Sequence, residues 1–242
     1  MIKKKIKSFL KHFIPPILVP GHFREIFNNI IHKNKNIHHF EFENKFFTRH
    51  AFINKAISKF KDCKYLEIGV YNNEVFNSIP LKIENKFGVD PVRGGNFRMG
   101  SDDFFKKYSH LKFDVIFIDG LHEYEQCQKD CLNSMKQLNN GGLIFFHDFL
   151  PRSFFEEQKV PRKQSPWTGD VWKVAVELAN SKNIEFKIIN IDHGIGVLKL
   201  KKNFSYQKID KLRTQDFKNY LEYKKNLPII TSEQGLDFIM EQ

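Results

Sequence analysis

Four apolar runs in this chain carry an acid at or near their trailing ends: Tyr65-Leu66-Glu67-Ile68-Gly69, Phe87-Gly88-Val89-Asp90, Val115-Ile116-Phe117-Ile118-Asp119 and Leu143-Ile144-Phe145-Phe146-His147-Asp148. Short continuous apolar runs bounded by turn signals read as strands buried on both faces, as in a parallel sheet. Laid side by side in that way, they bring Glu67, Asp90, Asp119 and Asp148 to one edge of one sheet. That edge is where an open α/β fold binds its ligand.

Helical patterns alternate with the runs. Phe46, Ala51, Phe52, Ile53, Ala56, Ile57 and Phe60 recur at helical spacing over 45–60, and further helices are expected from about 73, over 102–108, over 123–139 and over 169–181. A short third strand is expected near Phe97-Arg98-Met99, and Gly141-Gly142 is expected to close the helix before the strand at 142–147. The loop 148–168 holds Pro151, Pro161 and Pro166, and loops of that length in compact domains are often functional. Two last runs, 184–191 and 195–200, flank Asp192-His193-Gly194, a hairpin signal. This alternation predicts an α/β fold with helices on both faces of a mostly parallel sheet, ended by an antiparallel pair. The 242 residues divide into an N-terminal basic arm and linker (1–44), one α/β domain (45–202) and a lysine-rich helical extension (203–242).

Composition narrows the setting. No apolar run approaches the roughly 20 residues that span a bilayer. Cys63, Cys127 and Cys131 lack the pairing of a disulfide framework or zinc knuckle, which fits a reducing cytoplasm. The net charge of +11 admits a nucleic-acid, membrane or acidic partner. No zinc-finger, helix-turn-helix or RNP pattern accompanies it, so nucleic acid is disfavoured. Residues 1–14 place Ile2, Ile6, Phe9, Leu10 and Phe13 opposite lysines before Pro15-Pro16. Such a helix can lie on an anionic membrane, at the inner face here, or serve as a packing arm or homo-oligomer contact.

After the first run, Gly69-Val70-Tyr71-Asn72-Asn73 lacks the second glycine of a dinucleotide fingerprint, and Asn73 stands where the third would be. Glycine at 69 permits close approach of backbone to ligand, and Asn73 tolerates a left-handed conformation. Asp90, 23 positions after Glu67, ends the second strand, the usual place for a carboxylate that accepts ribose hydroxyls.

From about Lys64 to Leu200 the chain resembles the class I S-adenosylmethionine-dependent methyltransferases, and within them a "methyltransferase 24"-like group often encoded among cell-surface glycan genes. The resemblance lies in Tyr65–Gly69, Gly88-Val89-Asp90-Pro91, Ser101–Phe105, Phe113–Glu125, Gly141-Gly142 to His147-Asp148 and Gly169–Lys173. It implies a Rossmann-like three-layer sandwich whose seven-stranded, mostly parallel sheet has an antiparallel last strand. It also implies that Glu67 and Gly69 hold the methionine end of S-adenosylmethionine, with Asp90 on the ribose and Ser101 and Asp102 near the adenine.

The chemistry expected is O-methylation of a sugar, or of a sugar-phosphate or nucleotide-sugar precursor, in bacterial surface glycan biosynthesis. The alternatives are a non-sugar small molecule, a nucleic acid, or a scaffold without turnover. A hydroxyl acceptor must lose a proton, and His122 and His147 both fall at the ligand edge as candidate bases. Asp119 is expected to orient the cofactor or His122, or with Asp148 to bind Mg²⁺. Trp167 is expected beside a sugar and Trp172 in the core, while Arg93, Arg98, Arg152 and Arg162 are expected around the acceptor pocket.

Overall fold

The computed structural model describes Phe42, residues 47–160 and residues 166–241. The segment 1–14, the start of the helix expected from 45, and Pro161 and Arg162 lie outside the described residues. In chain order the elements are α1 (Arg49–Ile57), β1 (Tyr65–Ile68), α2 (Glu74–Ser78), β2 (Lys86–Val89), α3 (Ser101–Lys107), β3 (Phe113–Ile118), α4 (Tyr124–Gln137) and β4 (Leu138–Phe146). They continue with α5 (Trp172–Ala179), β5 (Lys182–Ile189), β6 (Ile195–Ser205), α6 (Phe217–Lys224), β7 (Ile229–Ile230) and α7 (Ser232–Met240).

The strands form one sheet in the order β2-β1-β3-β4-β6-β5-β7. All neighbours are parallel except where β6 meets β4 and β5. Period-two alternation sends the apolar side chains to opposite faces. Tyr65, Val115, Phe117, Leu143 and Phe145 pack with α1 and α7 residues such as Phe52, Ile53 and Phe238. Leu66, Ile116, Ile118, Ile144 and Phe146 pack with Phe104 of α3, Cys131 of α4, Trp172 of α5 and Tyr220 of α6. The fold is the expected Rossmann-like sandwich of seven strands.

Three local expectations are corrected. Phe97 makes only an isolated bridge to Val89, not a third strand. Its ring is instead stacked on Phe87 and set edge-on to Phe104 and Tyr108, so its apolar signal was core packing. The seventh strand is the two-residue β7, parallel to β5, so the antiparallel strand β6 is sixth in the chain and not the last. Gly141-Gly142 does not cap α4, whose C-cap is Leu138 in extended backbone. Pairing passes from Phe113 with Leu138 to Val115 with Leu143, so the glycines lie in a bulge of β4, with Gly141 at φ 75°.

Candidate active site

A cleft of about 1260 Å³ opens where β1, β2, β3 and β4 end, and Glu67, Asp90, Asp119 and Asp148 all line it. The four acids meet because four parallel strands in register stop together.

Glu67 is buried and accepts a 2.7 Å hydrogen bond from the Tyr65 hydroxyl. Burial pushes its carboxyl up to about 8, against the lowering effect of that bond. Gly69 lines the same end with φ 86°, and a Cβ there would lie 2.1 Å from the Asp119 carbonyl oxygen. Only glycine lets the two strand ends come that close. Asp90 has its carboxylate ringed by backbone N–H groups, Tyr71 at 2.9 Å, Val92 at 2.8 Å and Arg93 at 2.9 Å. Burial works against the charge, but these donors hold the carboxyl below its ordinary value. Asn73 is left-handed at φ 63° as its position required, yet it does not line the cleft. Its side-chain oxygen accepts from the Gly95 N–H at 2.8 Å and so fixes the loop after β2. Ser101 and Asp102, at the start of α3, line the cleft with Gln126 and Asp130 of α4.

At the other end stand two histidines among acids. His122 Nδ1 lies 2.7 Å from the Trp167 carbonyl oxygen and 3.1 Å from Asp148 Oδ2, and its Nε2 is 3.5 Å from Asp119 Oδ1. The Trp167 ring stacks on the imidazole at 4.7 Å. Gly169, at φ 61°, presses on the His122 backbone so closely that a Cβ would fall 1.7 Å from its carbonyl oxygen. Burial opposes a charge on His122, but the Asp148 and Asp119 carboxylates push its pKa up to about 9. His147 is more enclosed. Its Nδ1 lies 3.2 Å from Asp119 Oδ1 and 3.3 Å from Asp148 Oδ2, and its Nε2 lies 3.4 Å from Asp192 Oδ1. Burial would lower its pKa, yet those carboxylates hold it well above the usual histidine range. Arg49 of α1 completes the chain of charges, with Nη1 2.8 Å from Asp192 Oδ2.

Arg49, Asp192, His193, Gln126 and Asp130 line the cleft without having been singled out as site residues from sequence. Arg49 carries no local signal, since its partner lies 143 positions away. Asp192 and His193 carried only the hairpin signal Asp192-His193-Gly194, and the structure shows both left-handed, at φ 43° and 60°, where non-glycine residues often mark function. Arg93 and Arg98 sit at the Asp90 end of the cleft, away from His122 and His147, Arg93 over the Tyr71 ring at 3.6 Å and Arg98 donating to the Asp90 carbonyl at 3.2 Å. Arg152 is paired with Glu156 at 2.8 Å. Trp172, Cys127 and Cys131 are core.

Residues 83–149 match the sequence profile of a family described as a methyltransferase domain. That segment holds Asp90, Ser101, Asp102, Asp119, His122, His147 and Asp148. No curated protein matches the chain. Among solved structures it is similar to an O-methyltransferase from Bacillus cereus in complex with S-adenosylhomocysteine, at 12% identity over 83% of this chain and 100% of that one, with a TM-score of 0.48. It is also similar to the MycE methyltransferase of the mycinamycin pathway, in complex with Mg, S-adenosylhomocysteine and mycinamycin VI, at 14% identity over 66% of this chain and 50% of that one, TM-score 0.41. A third is the S-adenosylhomocysteine-bound methyltransferase PaMTH1 of Podospora anserina, at 14% identity over 76% and 99%, TM-score 0.37. No helix of the described residues is long and apolar enough to cross a membrane.

Proposed function

Taking the chain as an S-adenosylmethionine-dependent methyltransferase, we propose that it methylates a hydroxyl oxygen of a sugar, or of a sugar phosphate or nucleotide sugar destined for a bacterial surface glycan. The observation that carries this reading is the His122–Asp119–Asp148 constellation, set at the strand ends beside the groove that begins at Glu67 and Asp90. Methyl transfer is a displacement at a sulfonium carbon, so the protein must hold nucleophile, methyl and sulfur in line, and must take the hydroxyl proton.

His122 is the base. With Nδ1–H donated to the Trp167 carbonyl, the neutral ring leaves Nε2 as the acceptor toward the cleft. Glu67 and the backbone at Gly69 face the amino-acid end of the cofactor, and the Asp90 carboxylate the ribose. His147, wedged between Asp119, Asp148 and Asp192, keeps its proton at neutral pH and positions these carboxylates. The saccharide part of the reading is supported by the polar Arg49, Asp192 and His193, which line the same cleft as Trp167, and by the glycan-associated group that the sequence resembles.

A second reading of the same end is favoured by one observation. Asp119, His122 and Asp148 each offer a ligand atom, all within 4.8 Å of one another, an O, O, N donor set that fits a divalent ion. Mg²⁺ there would lower the pKa of the acceptor hydroxyl, and His122 would be its ligand. The deciding experiment incubates the protein with S-adenosylmethionine and a panel of sugars, sugar phosphates and nucleotide sugars, with and without chelator and Mg²⁺. A 14-dalton gain on a saccharide hydroxyl is expected. Transfer confined to non-sugar acceptors removes the saccharide reading, and activity indifferent to chelator removes the metal.

A further inference from the structure

The turn between β5 and β6 brings into the cleft a side chain that takes no part in the proton chemistry above, His193. Its backbone is left-handed at φ 60°. The Leu150 N–H donates to its carbonyl at 2.8 Å, and a Cβ on Gly194 would fall 2.5 Å from Leu150 Cγ. A non-glycine residue keeps such a conformation only where its surroundings over-determine it. The ring is set as firmly, edge-on to His147 at 6.2 Å and to Phe42 at 5.3 Å.

The Nδ1 atom of that ring is buried and, among the described residues, has no hydrogen-bond partner. Facing it at 3.7 Å is Oε2 of Glu156, a buried carboxylate that accepts from the Arg152 N–H at 2.8 Å, Nε at 3.0 Å and Nη2 at 2.8 Å. Burial works against its charge, yet His193 and Arg152 beside it hold the carboxyl below its ordinary value. A carboxylate behind Nδ1 keeps the proton on that nitrogen, so Nε2 of the neutral ring is an acceptor. With the Nδ1 edge turned inward, the edge that carries Nε2 is left to the cleft. The gap of 3.7 Å suits a site awaiting its ligand, since such hydrogen bonds often tighten only in the complex. The Glu156 carbonyl also accepts from the Thr168 and Gly169 N–H groups at 3.0 Å, and Gly169 abuts His122. One residue thus sets the position of both histidines.

His193 is out of reach of the groups assigned to the cofactor's ribose. In the sheet order, β6 stands four strands from β2, which ends in Asp90. At the usual strand spacing that is on the order of 19 Å. What meets Nε2 is therefore the other substrate. We propose that His193, oriented by Glu156, accepts a hydrogen bond from a second hydroxyl of the acceptor, so that the enzyme selects polyhydroxylated acceptors over those with a single hydroxyl. The inference rests on the saccharide reading and adds to it the residue that reads a hydroxyl other than the one methylated.

Steady-state kinetics of the full chain with S-adenosylmethionine test this, using a saccharide methylated in the panel above and its monodeoxy derivatives, each lacking one hydroxyl that is not methylated. For the unaltered protein one such deletion is expected to raise KM about tenfold or more. His193→Ala should raise KM for the parent saccharide to a similar degree while kcat stays within about threefold, the mark of binding made equally in ground and transition states. In that variant the same deletion should cost less than about twofold, because its partner is already gone. His193→Asn, whose backbone accepts the left-handed conformation and whose side chain is shorter, serves if the alanine variant does not fold. Calorimetry with S-adenosylhomocysteine should show unchanged affinity in both. Three results overturn this inference alone, with saccharide methylation left standing: no deletion that raises KM in the unaltered protein, a deletion penalty undiminished in the variants, or a loss of S-adenosylhomocysteine affinity that places His193 on the cofactor. Methylation of no saccharide in the panel overturns the saccharide reading and this inference with it.

Discussion

The Glu67 carboxyl, raised by burial from 4.5 to about 8, binds more protons in the folded chain than in the unfolded chain between those values. Stability contributed at that position therefore falls as pH rises through the window, and the ionised form at neutral pH is a cost that a cofactor ammonium would offset. Glu67→Gln keeps an acceptor for the Tyr65 hydroxyl and removes the charge. It is expected to stabilise the ligand-free protein at pH 7 by about 1 kcal/mol and to weaken S-adenosylmethionine binding about tenfold or more, read by thermal unfolding and calorimetry. His122 has the opposite linkage. Its pKa is raised from 6.5 to about 9, so its stabilising contribution is complete below 6.5 and is lost as pH rises through 9. As the base it works only when deprotonated, so kcat/KM should climb between pH 6.5 and 9. His122→Gln should lower turnover by about 10²–10⁴ and flatten the profile while leaving cofactor affinity unchanged. An unaltered profile would remove His122 from the reaction.

Among the elements, the turn that leads into α5 does most to place His122. Asp170, 1% exposed, accepts from the Tyr124 N–H at 2.7 Å and from Lys173 Nζ at 2.7 Å, tying α5 to the first residue of α4. Held this way, Gly169 abuts His122 and Trp167 keeps its carbonyl on the imidazole. Lys173→Met leaves the buried Asp170 carboxylate with only the exposed Lys159, 3.8 Å away, and urea unfolding should show a loss of about 2–4 kcal/mol. Turnover should fall alongside, since the His122 carbonyl side loses its stop. The β5–β6 hairpin acts similarly on the Asp192 side of the cleft. The Phe149 and Leu150 N–H groups donate to the Gly194 and His193 carbonyls at 3.2 and 2.8 Å, so the segment leaving β4 is stitched to the turn that carries Asp192. The Asp192-His193-Gly194 signal for this hairpin was legible because two left-handed residues followed by glycine have a local cause. The Gly141-Gly142 signal misled because glycine serves a helix cap and a strand bulge equally well, and only pairing of Val115 with Leu143 chooses between them.

For the molecule as a whole, the C-terminal segment is built into the sheet that carries the site. The boundary expected after residue 202 falls inside β6, and β7 pairs with β5. Glu177, fully buried in α5, accepts from the Tyr124 hydroxyl at 2.7 Å, Gln128 Nε2 at 2.6 Å, the Tyr206 hydroxyl and the Ile209 N–H at 2.7 Å. A chain ended after Ser205 strips two of those donors and uncovers the core around Trp172, where Tyr220 and Tyr223 pack. Circular dichroism should then show no cooperative melt, and Tyr206→Phe alone should cost about 1–2 kcal/mol. A cooperative melt of the shortened chain would show the extension to be dispensable. The sequence by itself determined the strand-forming runs and the acids at their ends, because strand length, apolar burial and terminal turns are set by neighbours along the chain. Only the tertiary structure decided that β6 inserts between β4 and β5, that two residues near the C-terminus become a strand, and that Arg49 and Asp192 close on His147. Those arrangements join groups far apart along the chain, 143 positions for Arg49 and Asp192, or too few to leave a period, and charge and shape select them only once the sheet has brought the partners together.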